Sequence, residues 1–360
     1  MRHFDDGGAT NVDVQTDWPK RMPGRVLVTG ANGHLANTLV RNLLEHGYTV
    51  RGTVRDLSDP ARTAHLHGHA KALGCPERLE LVEADVLDAD PWPALLEGMD
   101  GLFHTATVFS LSGDAETILS TANLGTEHLM RGAAVAGVPR IVYTSSTAAV
   151  GSTPKGRTKT EEDWQPEEGT PYTVAKTQAE QRLWRLVEEL NLDVRVINPS
   201  AILGGGFVRP TPSIDYFPDL LGGAWPIAPP IPMAFVHVED VAEAHRRAFE
   251  LDEASGRFLL APHSGLTMAD LARTARRLRP TSGAPKRALP RMLMPAAVLV
   301  DWLGGLRGRE RRLTRSVVRG YMRGDARYDS TKAEQVLGMT WRSFDACVED
   351  TIAAFEERRP

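Results

Sequence analysis

The chain has 360 residues, of which 42% are hydrophobic, enough for one large α/β unit or two domains with a sizeable buried core. Its 42 basic and 46 acidic side chains nearly balance, and no long block carries one sign. This balance argues against nucleic acid and anionic membranes as the main partners. Two cysteines, Cys75 and Cys347, are too few for a disulfide framework, so we expect a cytoplasmic protein.

The first 24 residues contain Asp, Gly, Asn and Pro without periodicity, which predicts a loosely ordered arm over 1–24. This stretch lacks the apolar core of a signal peptide. No window of the chain reaches the ~20 apolar residues of a membrane span. We therefore expect neither secretion nor a membrane partner.

From residue 25 to about 200, short β-branched runs alternate with helical patterns. The predicted strands are RVLVTG, YTVRGTVR, LELVEAD, GLFHTA, RIVYTSS and LDVRVINPS. Such alternation requires parallel strands joined by right-handed crossovers. The sequence therefore predicts an α/β fold, a doubly wound parallel sheet of the Rossmann type, with the cofactor-binding domain over 25–200.

The composition changes after residue 200, where 201–232 is rich in proline, glycine and aromatic residues. Residues 233–252 resemble one more strand and helix that return to the main unit. Residues 256 to about 323 suggest a helical cap. We therefore expect 201–232 and 253–360 to form a smaller, interleaved substrate-binding region.

Three small residues, Gly30, Gly33 and Ala36, lie between the first strand and the first helical pattern. Glycine in this turn allows the backbone to approach a pyrophosphate, whose charge then faces the helix N-terminus. The turn predicts a dinucleotide site. Its expected cofactor contacts are Gly30, Asn32, Gly33, His34 and Leu35.

The second strand ends in TVRD, with Val54 in the place where NAD sites usually carry an acid. Arg55 follows it and suits the 2′-phosphate of NADP(H), which is therefore favoured over NAD(H). The alternative is that Asp56 serves the NAD ribose. Asp85 and Val86 follow the third strand, where Asp85 either reaches the adenine edge or caps the turn into Leu87.

Tyr172 and Lys176 lie four residues apart in a predicted helix and share one face. A nearby ammonium lowers the pKa of a tyrosine from its usual ~10, so the phenol can exchange a proton with a substrate oxygen. Ser146 closes the strand IVYTSS at the ligand crevice, where its hydroxyl can hold that oxygen. Together these three residues predict carbonyl chemistry driven by hydride transfer.

With TGANGHLA, YTSSTAAVG, YTVAK and INPS in this order, the chain resembles the extended short-chain dehydrogenases/reductases of the NAD-dependent epimerase/dehydratase superfamily. The resemblance implies that Ser146 (with Ser145 as the alternative) donates to the substrate oxygen and that Tyr172 is the acid-base residue. It implies that Lys176 also binds the nicotinamide ribose. Further cofactor contacts implied in this way are Thr105, Ala106, Thr107, Tyr172, Pro199, Ser200 and Ile202.

Within that family, VRGTVRD, GLFHTAT, YTSS and VAKTQAEQ are most similar to the dihydroflavonol 4-reductase-like branch. This branch implies an NADPH-dependent ketone or aldehyde reductase, with close neighbours that act on steroid hydroxyls. Sugar-nucleotide epimerases typically carry a tyrosine before the glycine of SSxxVYG, where this chain has Val150. The resemblance also implies a homodimer through two long helices, expected near 115–136 and 172–190.

A pocket for an apolar substrate is predicted from aromatic residues in loops that should face the crevice. The expected substrate contacts are Phe109, Ser146, Thr147, Tyr216, Trp225 and Phe235. The alternative is that the aromatics pack the small region. We expect no metal, since His65, His67 and His69 lack a ligand spacing and should be solvated. His237 either contacts the substrate or holds Asp240, and the structural role is favoured.

The sequence thus predicts an NADP(H)-dependent oxidoreductase that reduces a ketone or aldehyde of an apolar, aromatic or steroid-like small molecule, or catalyses the reverse reaction. An alternative is a sugar-nucleotide epimerase or dehydratase that retains NAD. A further alternative is a non-catalytic dinucleotide sensor, which would need the glycine turn but not Tyr172.

Overall fold

The computed structural model describes residues 23–106, 115–151, 156–166, 170–293 and 325–358, together with 298, 299 and 302. The predicted arm at 1–24 lies outside these residues except for its last two. Within the described part of the chain, no helix is long and apolar enough to cross a membrane.

A seven-stranded parallel sheet forms the centre of the molecule. Its strands, in spatial order, are β3 (Leu79–Glu83), β2 (Thr49–Val54), β1 (Arg25–Val28), β4 (Gly101–His104), β5 (Ile141–Thr144), β6 (Val194–Pro199) and β9 (Gly256–Leu260). Every neighbouring pair runs parallel. The order reverses between β1 and β4, and in such sheets ligands bind at the carboxyl ends of the strands beside this point. The predicted fold class is confirmed.

Helices cover both faces of this sheet. One face carries α1 (His34–Glu45), α2 (Ala64–Ala72) and α8 (Val238–Glu250); the other carries α3 (Trp92–Leu96), α4 (Ala115–Ala136) and α6 (Pro171–Leu190). Each layer has its own apolar core, the first around Leu39 and Phe249 and the second around Trp92 and Leu183. The short helix α5 (Thr147–Val150) follows β5 directly.

A second, smaller unit surrounds a three-stranded sheet of β7 (Ala201–Leu203), β8 (Pro232–His237) and β10 (His263–Thr267), in the order β10-β8-β7. Strand β8 runs parallel to β7 and antiparallel to β10. Its apolar core involves α7 (Phe217–Gly222), α9 (Met268–Leu278) and α11 (Phe344–Glu356). Helix α10 (Thr331–Leu337) returns to the main unit, where it packs against β9 and α8.

Two boundaries differ from the sequence-based expectation. Residues 233–252 divide between the units, because β8 joins the small sheet whereas α8 packs on α1. The predicted helical cap begins instead with two strands, β9 and β10, and β9 completes the main sheet. The run GRFLL of β9 is short and mostly buried, and such a run does not reveal from periodicity alone whether it is helix or strand.

Candidate active site

The glycine turn between β1 and α1 has the geometry that a phosphate group requires. Gly30 adopts φ +64°, and a Cβ placed on it would lie 3.2 Å from the Cα of Ala106, after β4. Gly33 is the N-cap of α1, without a capping side chain and without an acidic residue in the first turn. The first backbone N–H groups of α1 are thus available to an anion, so this turn fits a dinucleotide pyrophosphate.

Thr29 joins the two strand ends that border this turn. Its Oγ1 accepts hydrogen bonds from the amides of Thr105 at 3.1 Å and Ala106 at 3.0 Å. The same oxygen lies 2.9 Å from Nδ1 of His104. Thr105 and Ala106 are therefore fixed, half-buried, at the point where the sheet order reverses.

The side chain of His34 points away from this turn. Its Nε2 lies 2.9 Å from the carbonyl oxygen of Gly205, and its ring packs edge-on against Phe207. Burial lowers the pKa of His34 to about 4, so the ring is neutral and donates to that carbonyl. The side chain of His34 is therefore engaged away from the turn, so a cofactor contact at His34 stays a prediction for its backbone amide alone.

The end of β2 separates an apolar position from an exposed cation. Val54 is buried and Arg55 is exposed, with no ion pair to any described residue. Asp56, the alternative for an NAD ribose, accepts 2.8 Å from the amide of Ser58 and lies 3.6 Å from Nη1 of Arg62. Hydrogen bonds from Ser58 lower the pKa of Asp56. Its carboxylate is thus engaged in a local turn, while Arg55 faces solvent.

Asp85 and Val86 take positions after β3. One carboxylate oxygen of Asp85 accepts 3.0 Å from the amide of Leu87, so the turn-capping alternative is observed, and its second oxygen makes no hydrogen bond to a described residue. Val86 packs closely on α4, where a Cβ on Gly125 would lie 3.1 Å from its side chain.

Helix α6 carries Tyr172 and Lys176 one turn apart. Thr170 caps its N-terminus by accepting from the amide of Thr173, so Tyr172 lies in the first turn. Tyr172 is half-buried, whereas Lys176 is only 6% exposed. Burial lowers the pKa of Lys176 to about 8, and the charge of Glu180 acts in the opposite direction. Burial, helped by Lys176, lowers the pKa of His104 to about 3.

The two serines after β5 have different roles. Ser145 is buried and donates its hydroxyl hydrogen to the carboxylate of Glu180. Ser146 is half-buried and is the N-cap of α5, with its Oγ accepting 3.1 Å from the amide of Ala148. That bond uses only a lone pair, and the hydroxyl of Ser146 donates to no described residue, so its hydrogen can be directed at a substrate oxygen. Thr147, also predicted to contact the substrate, is buried and shares a hydrogen bond with the phenol of the half-buried Tyr328.

The turn after β6 completes this edge of the sheet. Pro199 is buried, Ser200 donates its hydroxyl to the carbonyl of Leu260 at 3.1 Å, and Ile202 is half-buried in β7. Predicted contacts Thr107 and Phe109 lie outside the described residues.

The predicted aromatic pocket divides into two groups. Tyr216 stacks on Trp225 with ring centroids 6.1 Å apart, and both are half-buried. Phe235 is 0% exposed and stacks on Phe344 at 5.3 Å inside the core of the small unit. Because no part of its side chain reaches a solvent-accessible surface, Phe235 packs the core, as the alternative interpretation held.

The histidines differ in part from expectation. His69 is half-buried, with Nε2 2.7 Å from Oδ1 of Asn37, and His65 packs against it, so these two are not solvated. Within the described residues, no three potential ligands form a metal-binding group. His237 caps α8 by accepting from Glu239, and its partner is Asp350 at 3.1 Å rather than Asp240.

Glu180 is a functional candidate to which the sequence analysis assigned no role. It is completely buried, one turn after Lys176. Its carboxylate accepts hydrogen bonds from Ser145 and Asn198 and forms an ion pair with Arg257. A carboxylate four residues after the predicted catalytic lysine is a signal available in the sequence.

Comparisons with known proteins identify the family of this chain. The model of the NAD-dependent epimerase/dehydratase family matches residues 26–219. Cinnamoyl-CoA reductase CAD2 of Medicago truncatula is 35% identical, over 73% of this chain and 83% of its own length. Tetraketide alpha-pyrone reductase 1 of Arabidopsis thaliana is 32% identical, over 73% and 84%.

Among solved structures, gox2253 superposes with a TM-score of 0.77 at 32% identity, covering 92% of this chain and 98% of that one. Yeast methylglyoxal/isovaleraldehyde reductase Gre2, solved with NADPH, has the same fold, with a TM-score of 0.73 at 22% identity and coverage of 93% and 100%. The chain therefore belongs to the NAD-dependent epimerase/dehydratase family, in the dihydroflavonol 4-reductase-like branch of the extended short-chain dehydrogenases/reductases.

Proposed function

We propose that the chain is an NADP(H)-dependent oxidoreductase that reduces a ketone or aldehyde of an apolar, aromatic or steroid-like substrate to an alcohol, or catalyses the reverse. The observation that carries this proposal is the pairing of Tyr172 with the buried Lys176 one turn away. The proposal is also supported by Ser146, which lies at the carboxyl edge of the central sheet and whose hydroxyl donates to no described residue.

In this mechanism Tyr172 donates a proton to the carbonyl oxygen, and the ammonium of Lys176 stabilises the phenolate that remains. Ser146 holds the same oxygen through its hydroxyl hydrogen. NADPH, when bound, supplies the hydride. His104 is neutral at physiological pH, so it adds no second positive charge beside Lys176.

The choice of NADP(H) rests on the end of β2. Val54 offers no carboxylate to a ribose 2′-hydroxyl, and the exposed Arg55 suits a 2′-phosphate. Asp56 is already engaged with Ser58. The structure of Gre2 with NADPH shows that this cofactor is bound on the same fold.

The substrate class is supported by two observations. The half-buried stack of Tyr216 and Trp225 offers an apolar wall. The relatives named above are reductases whose names give cinnamoyl-CoA and a tetraketide alpha-pyrone as substrates.

The test is loss of NADPH absorbance with a panel of aromatic ketones, aldehydes and steroids, with the alcohol product identified by mass spectrometry. The proposal predicts net NADPH oxidation, matched by alcohol, and a weaker response with NADH. Cofactor binding without net oxidation on a panel that includes nucleotide sugars would instead indicate an epimerase, which regains its hydride, or a sensor.

We also propose that the chain forms a cytoplasmic homodimer through α4 and α6. Leu124 and Val135 are 46% and 75% exposed. They lie about three turns apart, on one face of α4. Light scattering should give twice the chain mass at micromolar concentration, and a monomer there would refute the dimer.

A further inference from the structure

The carboxylate of Glu180 connects three elements of the active site. Glu180 lies on α6, one turn after Lys176, and is 0% exposed. Such a buried charge is tolerated only when it is paired and hydrogen-bonded. Glu180 meets this condition with side chains of the β5–α5 turn, β6 and β9, so its surroundings are built around a negative charge.

The first connection holds the turn that carries Ser146. Ser145 donates its hydroxyl to Oε2 of Glu180. The amide of Asn198, on β6, donates to the same oxygen at 2.8 Å and to the backbone carbonyl of Ser146 at 3.2 Å. The position of Ser146 therefore depends on Glu180 both through its chain neighbour and through Asn198.

The second connection is an ion pair with β9. Nε of Arg257 lies 2.6 Å from Oε1 of Glu180. Nη1 of Arg257 donates to the carbonyl oxygens of Glu161 and Asp163, each at 2.7 Å, and its guanidinium lies 4.0 Å from the ring of Trp164. Arg257 thus connects the segment 156–166 to the carboxylate of Glu180.

The charges around Lys176 are few. Glu180 is the negative group that acts on it, His104 on β4 is neutral at physiological pH, and Tyr172 is on its own helix. Around Glu180 itself are the cation of Arg257 and the buried phenol of Tyr143 on β5, whose pKa burial raises to about 12. Lys176 makes no hydrogen bond to a described residue, so Glu180 is its principal source of compensating charge.

We propose that Glu180 is a positioning residue of this site: its carboxylate fixes the turn that carries Ser146 and supplies the counter-charge that keeps Lys176 an ammonium. This inference rests on the proposed function for its catalytic meaning. The competing explanation is that Glu180 is only a structural partner of Arg257.

The decisive experiment measures the proton affinity of Lys176 directly, by competitive amine labelling at a series of pH values with peptide mass spectrometry. In Glu180→Gln the pKa of Lys176 should fall by about one pH unit or more, because desolvation is no longer opposed. The matched control is Glu188→Gln, the same change at an exposed position of α6, which should leave it unchanged. An unchanged pKa of Lys176 in folded Glu180→Gln would refute the claim that Glu180 supplies the counter-charge.

The single variant leaves Arg257 buried without its carboxylate, which endangers folding. The double variant Glu180→Gln/Arg257→Gln removes both charges. The pKa of Lys176 should fall in the same direction but by less than in the single variant, because loss of the Arg257 cation favours the ammonium. Absence of that fall in the folded double variant contradicts the proposal equally.

Ser145→Ala tests the positioning role separately, because it keeps the charge of Glu180 and removes one hydrogen bond to the turn. Ser145→Ala should lower kcat several-fold, whereas the pKa of Lys176 measured by labelling should not fall. Unchanged kcat would overturn the positioning role. Amine labelling does not require turnover. A protein inactive on every carbonyl would therefore refute the proposed function, while the pKa of Lys176 would still test the effect of the Glu180 charge.

Discussion

The main unit, built on the seven-stranded sheet, and the small unit, built on β7, β8 and β10, rely on different interactions. In the main unit, polar groups connect strand ends, as Thr29 does for β1 and β4 and Glu180 does for β5, β6 and β9. In the small unit, stacked aromatic rings such as Phe235 and Phe344 fill the space between helices and strands.

This difference matters for function. Hydrogen bonds and ion pairs depend on direction, so they fix catalytic groups to within small distances. Aromatic packing is less directional and accepts changes of shape more easily. We infer that the reaction is determined by the first unit and the choice of substrate by the second, a division that the following variants can break or sharpen.

The largest effect is expected from Lys176→Met. Loss of the ammonium leaves the Tyr172 phenolate unsupported, so kcat should fall by about a thousandfold. Lys159→Met is the matched control, because Lys159 is also buried with a pKa lowered by burial to about 8 but donates to the carbonyl of Val150. A control that loses as much kcat would contradict a specific role for Lys176.

Phe235→Ala should be the most destabilising change in the small unit. Removing a completely buried ring creates a cavity, and the free energy of unfolding should fall by about 3–5 kcal/mol. Urea denaturation measures this. A loss below about 1 kcal/mol would contradict the role of this ring in the core of the small unit.

The pH dependence should follow Lys176. Its pKa of about 8 means that the residue is protonated below that pH and loses its charge above it. kcat should therefore decline as pH rises through about 8, and the decline should vanish in Lys176→Met. A profile that stays flat to pH 10 would exclude Lys176 as the group that supports the phenolate.

Arg55→Ala should weaken NADPH binding about tenfold and leave NADH binding unchanged, because only NADPH carries the 2′-phosphate. Arg51→Ala is the control on the same strand, since Arg51 is paired with Glu80 at 2.8 Å. Fluorescence titration with both cofactors gives the ratio. Equal losses for the two cofactors in Arg55→Ala would remove the basis for NADP(H) preference.

The smallest effect is expected from Trp225→Ala. Its half-buried ring, stacked on Tyr216, should contribute to substrate binding, so KM for an aromatic ketone should rise a few-fold with kcat nearly unchanged. Steady-state kinetics with an aromatic and with a short aliphatic carbonyl compound show whether the rise in KM is specific to aromatic substrates. If KM rises equally for both, the ring has no role in selecting aromatic substrates.

Periodicity and spacing predicted the parallel sheet, the Gly30 turn and the shared face of Tyr172 and Lys176, because these depend on local geometry. They also predicted Arg55 at the end of β2, since strand ends meet at one edge of the sheet. The structure adds that Ser145 is engaged by Glu180, which distinguishes it from Ser146.

What the sequence did not reveal depends on contacts between distant segments. Phe235 and Trp225 are both aromatic residues in the same region, and Phe235 is buried through packing with distant segments, such as Phe344 on α11. Likewise, β9 is recognisable as a sheet strand only through its pairing with β6. The side chain of His34 turns toward Gly205, 171 positions away, which no local pattern indicates.

The measurement that tests the central claim most directly compares the wild-type chain with Tyr172→Phe under identical conditions, recording NADPH binding by fluorescence and NADPH oxidation on the best ketone or aldehyde of the panel. We predict that the wild type oxidises NADPH with matching formation of alcohol. Tyr172→Phe should still bind NADPH, with an affinity lowered by no more than about a few-fold, and turn over about a thousandfold more slowly. Turnover by Tyr172→Phe within tenfold of the wild type would contradict the proposed mechanism.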